Sequence, residues 1–437
     1  MDGCYLPQEI AKIQEETQAA YVMLKFGGPE TRIGGYRVSG NIGARYVETT
    51  DISSGSLIHA DLRQTSLDCS VRTVGLTSSS VPNTMGCYLS AQDIAFADGL
   101  AEQSTIEAKH KNWLPSFNVR VDLNDTWLMR FAASRAMSRP DIGYLKNYQQ
   151  IAINLPSLDD NTDSRWVRDS SGTIVGVNPR YTADSYNPNL KPVTADQFDL
   201  TLENYFSDTG SFSIALFYKK FNDYIQYGVF DQVTTINGVT RNVQVRGPAN
   251  SDGASMKGVE VAFQTFFNFL PDPFDGLGVQ ANFTYVKNSG ITNANLTNTS
   301  NGGTAGTAGG GVNQADDSIA VDRLEGMSDY AFNLVGMYEK GDWSARLAYN
   351  WRSEFLLTAV DCCIGVPVWS EAAGYLDATL RYKVSDNAEL SFQASNLLDT
   401  ESVLTQQLTD ADDGGLRKDY SWNRTDRRYM LTLRLKY

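Results

Sequence analysis

A strict two-residue alternation is the feature of this sequence that most constrains its fold. Between Arg427 and Tyr437, one set of alternating residues is Tyr429, Leu431, Leu433, Leu435 and Tyr437, and the other set is Arg428, Met430, Thr432, Arg434 and Lys436. Successive side chains of a β-strand point to opposite faces, whereas a helix repeats its apolar positions every three to four residues. The alternation therefore predicts a strand with an aliphatic face bounded by tyrosines and an opposite face that carries cations.

The same design recurs along the chain. In the segment 343–351, Trp343, Leu347 and Trp351 share one face, and Arg346 and Asn350 share the other. We count about thirteen such segments, and strands on the order of 9–11 residues cross a bilayer when tilted. Besides the C-terminal strand, the predicted strands contain the segments Ala20–Phe26, Ile42–Tyr46, Phe117–Leu123, Trp127–Ala133, Phe198–Phe206, Phe212–Tyr218, Val259–Phe263, Val279–Tyr285, Phe332–Tyr338, Trp343–Trp351, Leu376–Tyr382 and Leu390–Ala394.

Long and short connections alternate between these segments. Structureless loops beyond about 15 residues are uncommon in compact soluble domains, whereas short turns on one side and long loops on the other are typical of outer-membrane barrels. The pattern predicts an all-β fold, an antiparallel up-and-down transmembrane β-barrel with its long loops outside. The predicted extracellular loops cover about 50–112, 138–195, 226–256, 288–328, 354–373 and 399–425.

Aromatic side chains recur where the predicted strands meet the short turns. Any half-buried strand accommodates aromatic residues, but their recurrence at one end of the strands is typical of the aromatic girdle at a membrane interface. We interpret the set as such a girdle. Its members are Trp127, Phe206, Phe212, Tyr338, Trp343, Tyr382 and Tyr437.

Composition and motifs argue against several other classes of protein. The chain of 437 residues has no run of eighteen apolar residues, which excludes a membrane-spanning helix. With 37 Lys and Arg against 51 Asp and Glu, the net charge of −14 argues against a nucleic-acid partner. The two histidines, His59 and His110, are expected to be solvated. Nucleophile-elbow, P-loop and zinc-protease motifs do not occur, so we expect no enzyme, no cofactor and no metal site.

A series of motifs then resembles a known family. The most specific are Asn-Pro-Asn-Leu-Lys-Pro at 187–192, Lys-Gly-Val-Glu at 257–260 and Asn-Leu-Leu-Asp at 396–399. Their order and spacing, together with the closing aromatic residue, are similar to those of the C-terminal barrel of TonB-dependent outer-membrane receptors. The resemblance covers nearly the whole chain from about residue 17.

The resemblance implies a 22-stranded barrel with a plugged lumen that imports a scarce, bulky nutrient. It implies energy from the TonB–ExbB–ExbD complex, contact with outer-membrane lipid, a small-molecule nutrient and a surface lipoprotein as partners, and the cell outer membrane of a Gram-negative bacterium as location. Receptors of this kind take up oligosaccharides or ferric siderophores. The segments at 20–24 and 347–352 are more similar to the oligosaccharide group.

At its N-terminal end the sequence departs from the family pattern. A plug domain, the box that contacts the energising protein and about nine strands are not visible, and the first residues lack a signal-peptide pattern. We therefore expect residues 1–437 to be the C-terminal part of the barrel, truncated or split from the rest. Two alternatives stay open: a passive porin-like or split barrel completed by a partner chain, and a soluble secreted β-sheet protein that binds or cleaves glycans.

Charged side chains on the faces opposite the aliphatic ones are expected to face the lumen. They would form a polar wall that holds the plug and passes polar solutes, or they would neutralise one another in ladders across the strands; the two roles are compatible. The lumen-facing candidates are Arg45, Arg120, Arg130, Asp199, Glu203, Glu260, Arg346, Arg352, Arg381, Arg428 and Arg434.

Aromatic residues of the extracellular loops are candidates for ligand contact because they stack on sugar rings. The alternative is that they anchor the loops internally, as compact loops of this length require. The candidates are Trp166, Tyr181, Tyr224, Tyr227, Phe355 and Trp369.

The cysteines also fall in the long loops. Cys69 and Cys87 share one loop, where a disulfide would stabilise the loop by roughly 3 kcal/mol in an oxidising compartment. Cys362 and Cys363 are adjacent in another, which suits a vicinal disulfide, metal binding or thiol chemistry. Because Cys4 is left over, the connectivity stays open.

Overall fold

The computed structural model describes residues 10–58, 88–97, 101–156, 162–251, 253–290, 293–294, 319–321, 323–359, 366–409 and 415–436. These residues are almost entirely β-strand, and one α-helix, α1 (Ala91–Ala97), occurs among them. None of the described helices is long and apolar enough to cross a membrane. The residues of interest that lie outside the described ranges are Cys4, His59, Cys69, Cys87, Cys362, Cys363 and Tyr437.

Thirteen of the strands form one antiparallel meander, which we call the wall. Each wall strand pairs with the next wall strand along the chain, so the predicted strand number and order are confirmed. Each of the thirteen predicted segments overlaps one wall strand; ten lie entirely within it, and the segments that end at Leu123, Phe206 and Tyr437 extend beyond it. The wall strands are β1 (Lys12–Ile33), β2 (Tyr36–Ile58), β3 (Ala101–Asp122), β4 (Trp127–Ser138), β9 (Val193–Tyr205), β10 (Ser211–Asn222), β13 (Ala254–Phe266), β14 (Leu277–Ser289), β17 (Tyr330–Lys340), β18 (Trp343–Arg352), β21 (Ala373–Ser385), β22 (Ala388–Ser395) and β25 (Arg428–Leu435).

Tight turns join the wall strands at one end. Between β1 and β2, the turn consists only of Gly34–Gly35. Both glycines have positive φ, as a two-residue hairpin turn of the primed type requires. Between β3 and β4, the Asn124 side chain accepts hydrogen bonds from the backbone N–H groups of Thr126 and Trp127.

At the other end, the long connections carry strands of their own. β2 and β3 continue as a paired ribbon to Ile58 and from Ala101, so much of the predicted 50–112 loop is strand. Polar residues on both faces suit a ribbon that leaves the apolar layer. The remaining strands are β5 (Gln149–Asn154), β6 (Trp166–Arg168), β7 (Ile174–Val177), β8 (Arg180–Ser185), β11 (Tyr224–Ile236), β12 (Val239–Ser251), β15 (Asn293–Ala294), β16 (Ala320–Val321), β19 (Phe355–Thr358), β20 (Val368–Ser370), β23 (Glu401–Gln407) and β24 (Arg417–Arg424).

Two small lobes result from these extra strands. The α1 lobe consists of β5, β8, β11, β12 and helix α1, and it joins the wall where β5 runs parallel to the end of β2. The β23 lobe consists of β19, β20, β23 and β24. The described hydrophobic clusters lie in the long connections: Phe96 packs against Val243 and Val245 in the α1 lobe, and Leu356 packs with Trp369 in the β23 lobe. The wall itself is organised differently.

Candidate functional site

The register of the wall gives it one apolar and one polar face. Residues directly opposite in an antiparallel pair lie on the same face, and neighbours along a strand lie on opposite faces. Leu433 is opposite Leu390, Phe392 is opposite Leu380, and the row continues on β18 through Ala345. When the register is followed through all twelve pairings, the alternating apolar residues of every wall strand lie on this one face.

The apolar face is open to its surroundings. Leu431 is 69% exposed, and Leu347 is 49% exposed. On β17, Leu334 of the apolar face is 47% exposed, whereas its neighbour Val335 on the polar face is 5% exposed. An outward apolar band is what a bilayer requires of a barrel wall.

Six members of the predicted aromatic girdle lie on this face next to the tight turns. Trp343 is directly opposite Tyr382, and their ring centroids are 4.5 Å apart. Phe206 stacks on Phe263 at 6.0 Å. The girdle therefore continues across strands rather than being a set of unrelated aromatic residues.

All eleven lumen-facing candidates fall on the polar face. Arg120 is directly opposite Arg130, and Arg381 is directly opposite Ser344 of β18. The placement follows from the pleat alone, because each candidate alternates with the apolar positions of its own strand.

Only some of these charges neutralise one another. Arg120 binds Asp122 at 2.6 Å, and Arg130 binds Glu203 at 2.8 Å, so the directly opposed Arg120–Arg130 pair is balanced by two carboxylates. Arg352 instead donates to the Ser328 hydroxyl at 2.8 Å and lies over the Phe355 ring.

The other arginines of the set form no ion pair with the described carboxylates. Among the described residues, no carboxylate lies within 4.0 Å of the five remaining arginines of the set, so the polar face keeps unneutralised cations. They are Arg45, Arg346, Arg381, Arg428 and Arg434.

Comparison with known proteins assigns this architecture to a family. A family model described as "TonB dependent receptor-like, beta-barrel" matches residues 6–397. The chain belongs to the TonB-dependent receptor family. Its wall is accordingly part of a transmembrane β-barrel, and the family consists of receptors and transporters of the Gram-negative outer membrane.

Individual proteins are similar to the chain over different lengths. The protein named "Probable hemoglobin and hemoglobin-haptoglobin-binding protein 4" of Haemophilus influenzae is 31% identical over 106 residues, which is 23% of this chain and 10% of that protein. The ferric enterobactin receptor of Pseudomonas aeruginosa, solved with enterobactin, superposes with a TM-score of 0.50 at 15% identity, covering 97% of this chain and 54% of the receptor. The siderophore receptor PirA of Acinetobacter baumannii has a TM-score of 0.47 at 14% identity, covering 98% and 55%. The chain thus spans about half the length of the solved receptors, and at these identities the likeness concerns the fold alone.

Three of the predicted ligand-contact residues are buried, which corrects the sequence interpretation. Tyr181 packs edge-on against Phe96 in the α1 lobe. Trp166 packs against Tyr88, and Trp369 donates from Nε1 to Gln407 Oε1 at 2.9 Å in the β23 lobe. The physical reason is the alternative that the sequence left open: small sheets in long connections need large apolar side chains as their core.

The other three candidates differ. Tyr224 is half-buried and packs edge-on against Phe221, and Phe355 is half-buried beneath the Arg352 guanidinium. The Tyr227 side chain lies outside the described residues. Of the candidates whose side chains the structure describes, Tyr224 and Phe355 keep some accessible surface.

A charged link that the sequence did not reveal holds α1 to its lobe. The buried Asp93 carboxylate accepts hydrogen bonds from Arg241 Nε at 2.8 Å and from the Tyr181 hydroxyl at 3.1 Å. Burial alone would raise the pKa of Asp93, but hydrogen bonds from Ser90 and Arg241 outweigh it, so the pKa of Asp93 is lowered. The residues are far apart in sequence, and no local spacing marks them as partners.

A second feature lies where β2 and β3 leave the apolar band. Asp51 is 2% exposed, and its Oδ1 has no hydrogen-bond partner among the described residues; neither has Nε2 of the half-buried His110. Burial, and then the charge of Glu15 opposite, raise the pKa of Asp51, while burial lowers the pKa of His110. His110 is therefore not the solvated side chain that the sequence suggested.

Replacing Asp51 by asparagine is expected to stabilise this ribbon at neutral pH. The folded-state pKa of Asp51 is raised, so the contribution of this carboxyl group to the stability of the ribbon depends on pH. The contribution is fully present below the unfolded-state pKa of about 3.9 and is lost as pH rises through the folded-state pKa. At pH 7, we expect Asp51→Asn to raise the free energy of local opening of residues 50–58 by about 1 kcal/mol, which slows their amide exchange. At pH 4, we expect the substitution to have little effect. Asp208→Asn, in an exposed turn, is the control, and a gain that is the same at both pH values would contradict the explanation.

Proposed function

We propose that this chain forms the wall of an outer-membrane receptor for TonB-coupled uptake of a scarce nutrient. The observation that carries the proposal is the pair of opposite faces, maintained in register across thirteen strands. The apolar face suits lipid, and the polar face suits a lumen. The tight turns then lie in the periplasm, and the two lobes and the β2–β3 ribbon lie outside the cell.

In this arrangement, the eleven candidate residues of the polar face line the lumen. Unneutralised cations such as Arg346 and Arg381 would provide hydrogen-bond donors and positive potential for polar or acidic groups that enter the lumen. The balanced pairs Arg120–Asp122 and Arg130–Glu203 would instead brace the wall. The whole protein would engage the TonB–ExbB–ExbD complex.

For the cargo, we infer an iron-bearing nutrient rather than an oligosaccharide. The support is the relative from Haemophilus influenzae, whose name specifies hemoglobin and hemoglobin–haptoglobin binding and which shares 31% identity over 106 residues. Oligosaccharide uptake, which the motifs of the sequence favoured, is the competing cargo class.

The test is uptake by cells that contain the protein. We expect these cells to grow under iron limitation with hemoglobin or a ferric siderophore as the iron source. Deletion of the gene or of the TonB protein should abolish this growth. Radiolabelled oligosaccharides serve as the contrasting cargo in the same strains. Uptake of oligosaccharide but not of iron would reject the cargo, and uptake that persists without TonB would reject energised transport. Absence of the protein from the outer-membrane fraction would reject the proposed function altogether.

A further inference from the structure

Basic side chains cross the apolar face at the end of the strands that leads to the long connections. Lys220 follows Tyr218 on β10, Lys287 follows Tyr285 on β14, and Lys257 precedes Val259 on β13, so each lies one step beyond the apolar column of its strand. These three strands are adjacent in the wall. We call the three exposed lysines the basic row.

Within the described part of the chain, the lysines of the basic row form no close ion pair. Lys257 and Lys287 are directly opposite each other, an arrangement of like charges that destabilises a sheet. Lys220 is opposite Asp196, but that carboxylate is already engaged by Arg135 through two hydrogen bonds of 2.7 and 2.9 Å. In the part of the chain that the structure describes, no carboxylate lies within 4.0 Å of any of the three lysines.

The wall shows elsewhere how such a pair is balanced internally. The directly opposed Arg120 and Arg130 of the polar face each bind a carboxylate of the wall. On the apolar face, the Lys257–Lys287 pair has no such carboxylate among the described residues, so this part of the chain leaves its charge available to an external anion.

The height of the basic row indicates the source of that charge. Tyr218 and Tyr285 end the apolar columns, and tyrosine is enriched at the level of lipid headgroups. The next position outward therefore lies among the headgroups. Opposed strand residues have Cβ atoms about 4.5–5.5 Å apart, which allows two ammonium groups to hold one phosphate between them. Lysine binds phosphate as a point charge.

We propose that the basic row binds the phosphate groups of a phosphorylated glycolipid headgroup in the outer leaflet. The inference rests on the proposed function for the orientation of the strands, because only then does the row face the outer leaflet. Arg135, held by Asp196 at the edge of the row, would provide a flanking donor. Lipid bound in this way would fix the depth of the receptor in the outer membrane and would surround the receptor with one class of lipid.

The test measures lipid binding to the protein as purified from outer membranes in a mild detergent. The probes are bisphosphorylated lipid A and the same glycolipid after enzymatic removal of its phosphates, with bound lipid counted by native mass spectrometry. We expect the phosphorylated form to bind, and binding to weaken about fivefold for each lysine replaced by glutamine at 220, 257 and 287. Lys219→Gln, the neighbouring lysine on the polar face, is the matched control and should leave binding unchanged.

Each other outcome decides against the proposal. Equal binding of the dephosphorylated glycolipid would show that acyl chains alone hold the lipid. An equal loss with Lys219→Gln would show a general charge effect, and displacement by inorganic phosphate at the same concentration as lipid would reject a lipid headgroup as the ligand. If the protein is in the outer membrane but fails these tests, this inference alone is wrong; if it is not in that membrane, the proposed function has failed first.

Discussion

Leu347→Arg is expected to prevent most of the protein from assembling in the membrane. Leu347 lies midway along the apolar column of β18, between Trp343 and Trp351, and nearly half of its side chain is exposed on the lipid-facing side. An arginine on the lipid face near the bilayer midplane costs about 2–4 kcal/mol. The measurement is the fraction of folded protein in outer membranes, read from heat-modifiable mobility on gels.

The control for this substitution comes from the same strand. Asn350 is exposed on the polar face of β18, opposite Asn333, and Asn350→Arg should assemble normally because water reaches that face. The last strand allows an independent repeat: Leu433→Arg should fail, and Thr432→Arg should be tolerated, since Leu433 is opposite Leu390 and Thr432 is opposite Ser391. If both members of either pair assemble equally well, the assignment of faces is wrong.

Asp93→Ala is expected to detach helix α1 from its lobe without affecting the wall. The substitution leaves the Arg241 guanidinium and the buried Tyr181 hydroxyl without their shared acceptor. Breaking a buried pair by removing one partner costs about 3 kcal/mol. Hydrogen exchange of residues 91–97 should accelerate about a hundredfold, while exchange in β10 and β13 stays unchanged.

Two comparisons sharpen this prediction. Ile94→Ala, at an exposed position of the same helix, should have little effect, and Asp93→Asn should fall between the two because it retains an acceptor oxygen. Since the pKa of Asp93 is lowered, its contribution is fully present above its unfolded pKa of about 3.9 and is lost as pH falls through the folded pKa. Helix docking should therefore be constant from pH 8 to pH 5. Weakening between pH 7 and pH 6 would contradict this explanation.

The expected behaviour of the wall could be derived from the sequence because strand geometry is local. A side chain's face depends only on whether its position is odd or even within its strand. Leu347 and Arg346 were therefore separable before any pairing was known. Register then follows, since a shift of one residue would turn every apolar side chain to the polar side.

The connections were less predictable because their structure depends on distant partners. Tyr181 and Trp369 read as exposed loop aromatics, yet each is buried by strands from another part of the chain. The Asp93–Arg241 pair joins residues about 150 positions apart, and the sequence around either residue does not predict the pairing. His110 is half-buried for a similar reason. It lies on the part of the β2–β3 ribbon beyond the apolar band, where the sequence does not alternate between apolar and polar residues and so does not predict a strand.

By itself, the sequence determined the strands, their order, the two faces of the wall and the level of the aromatic girdle, because a period of two and the spacing of turns are set residue by residue. Only the tertiary structure decided which loop aromatics are core, which charges are balanced and which are left for an external partner. Those outcomes depend on what packs over each side chain. The opposed lysines 257 and 287 show the difference: each is an ordinary strand residue in sequence, and only the pairing of β13 with β14 makes them a site.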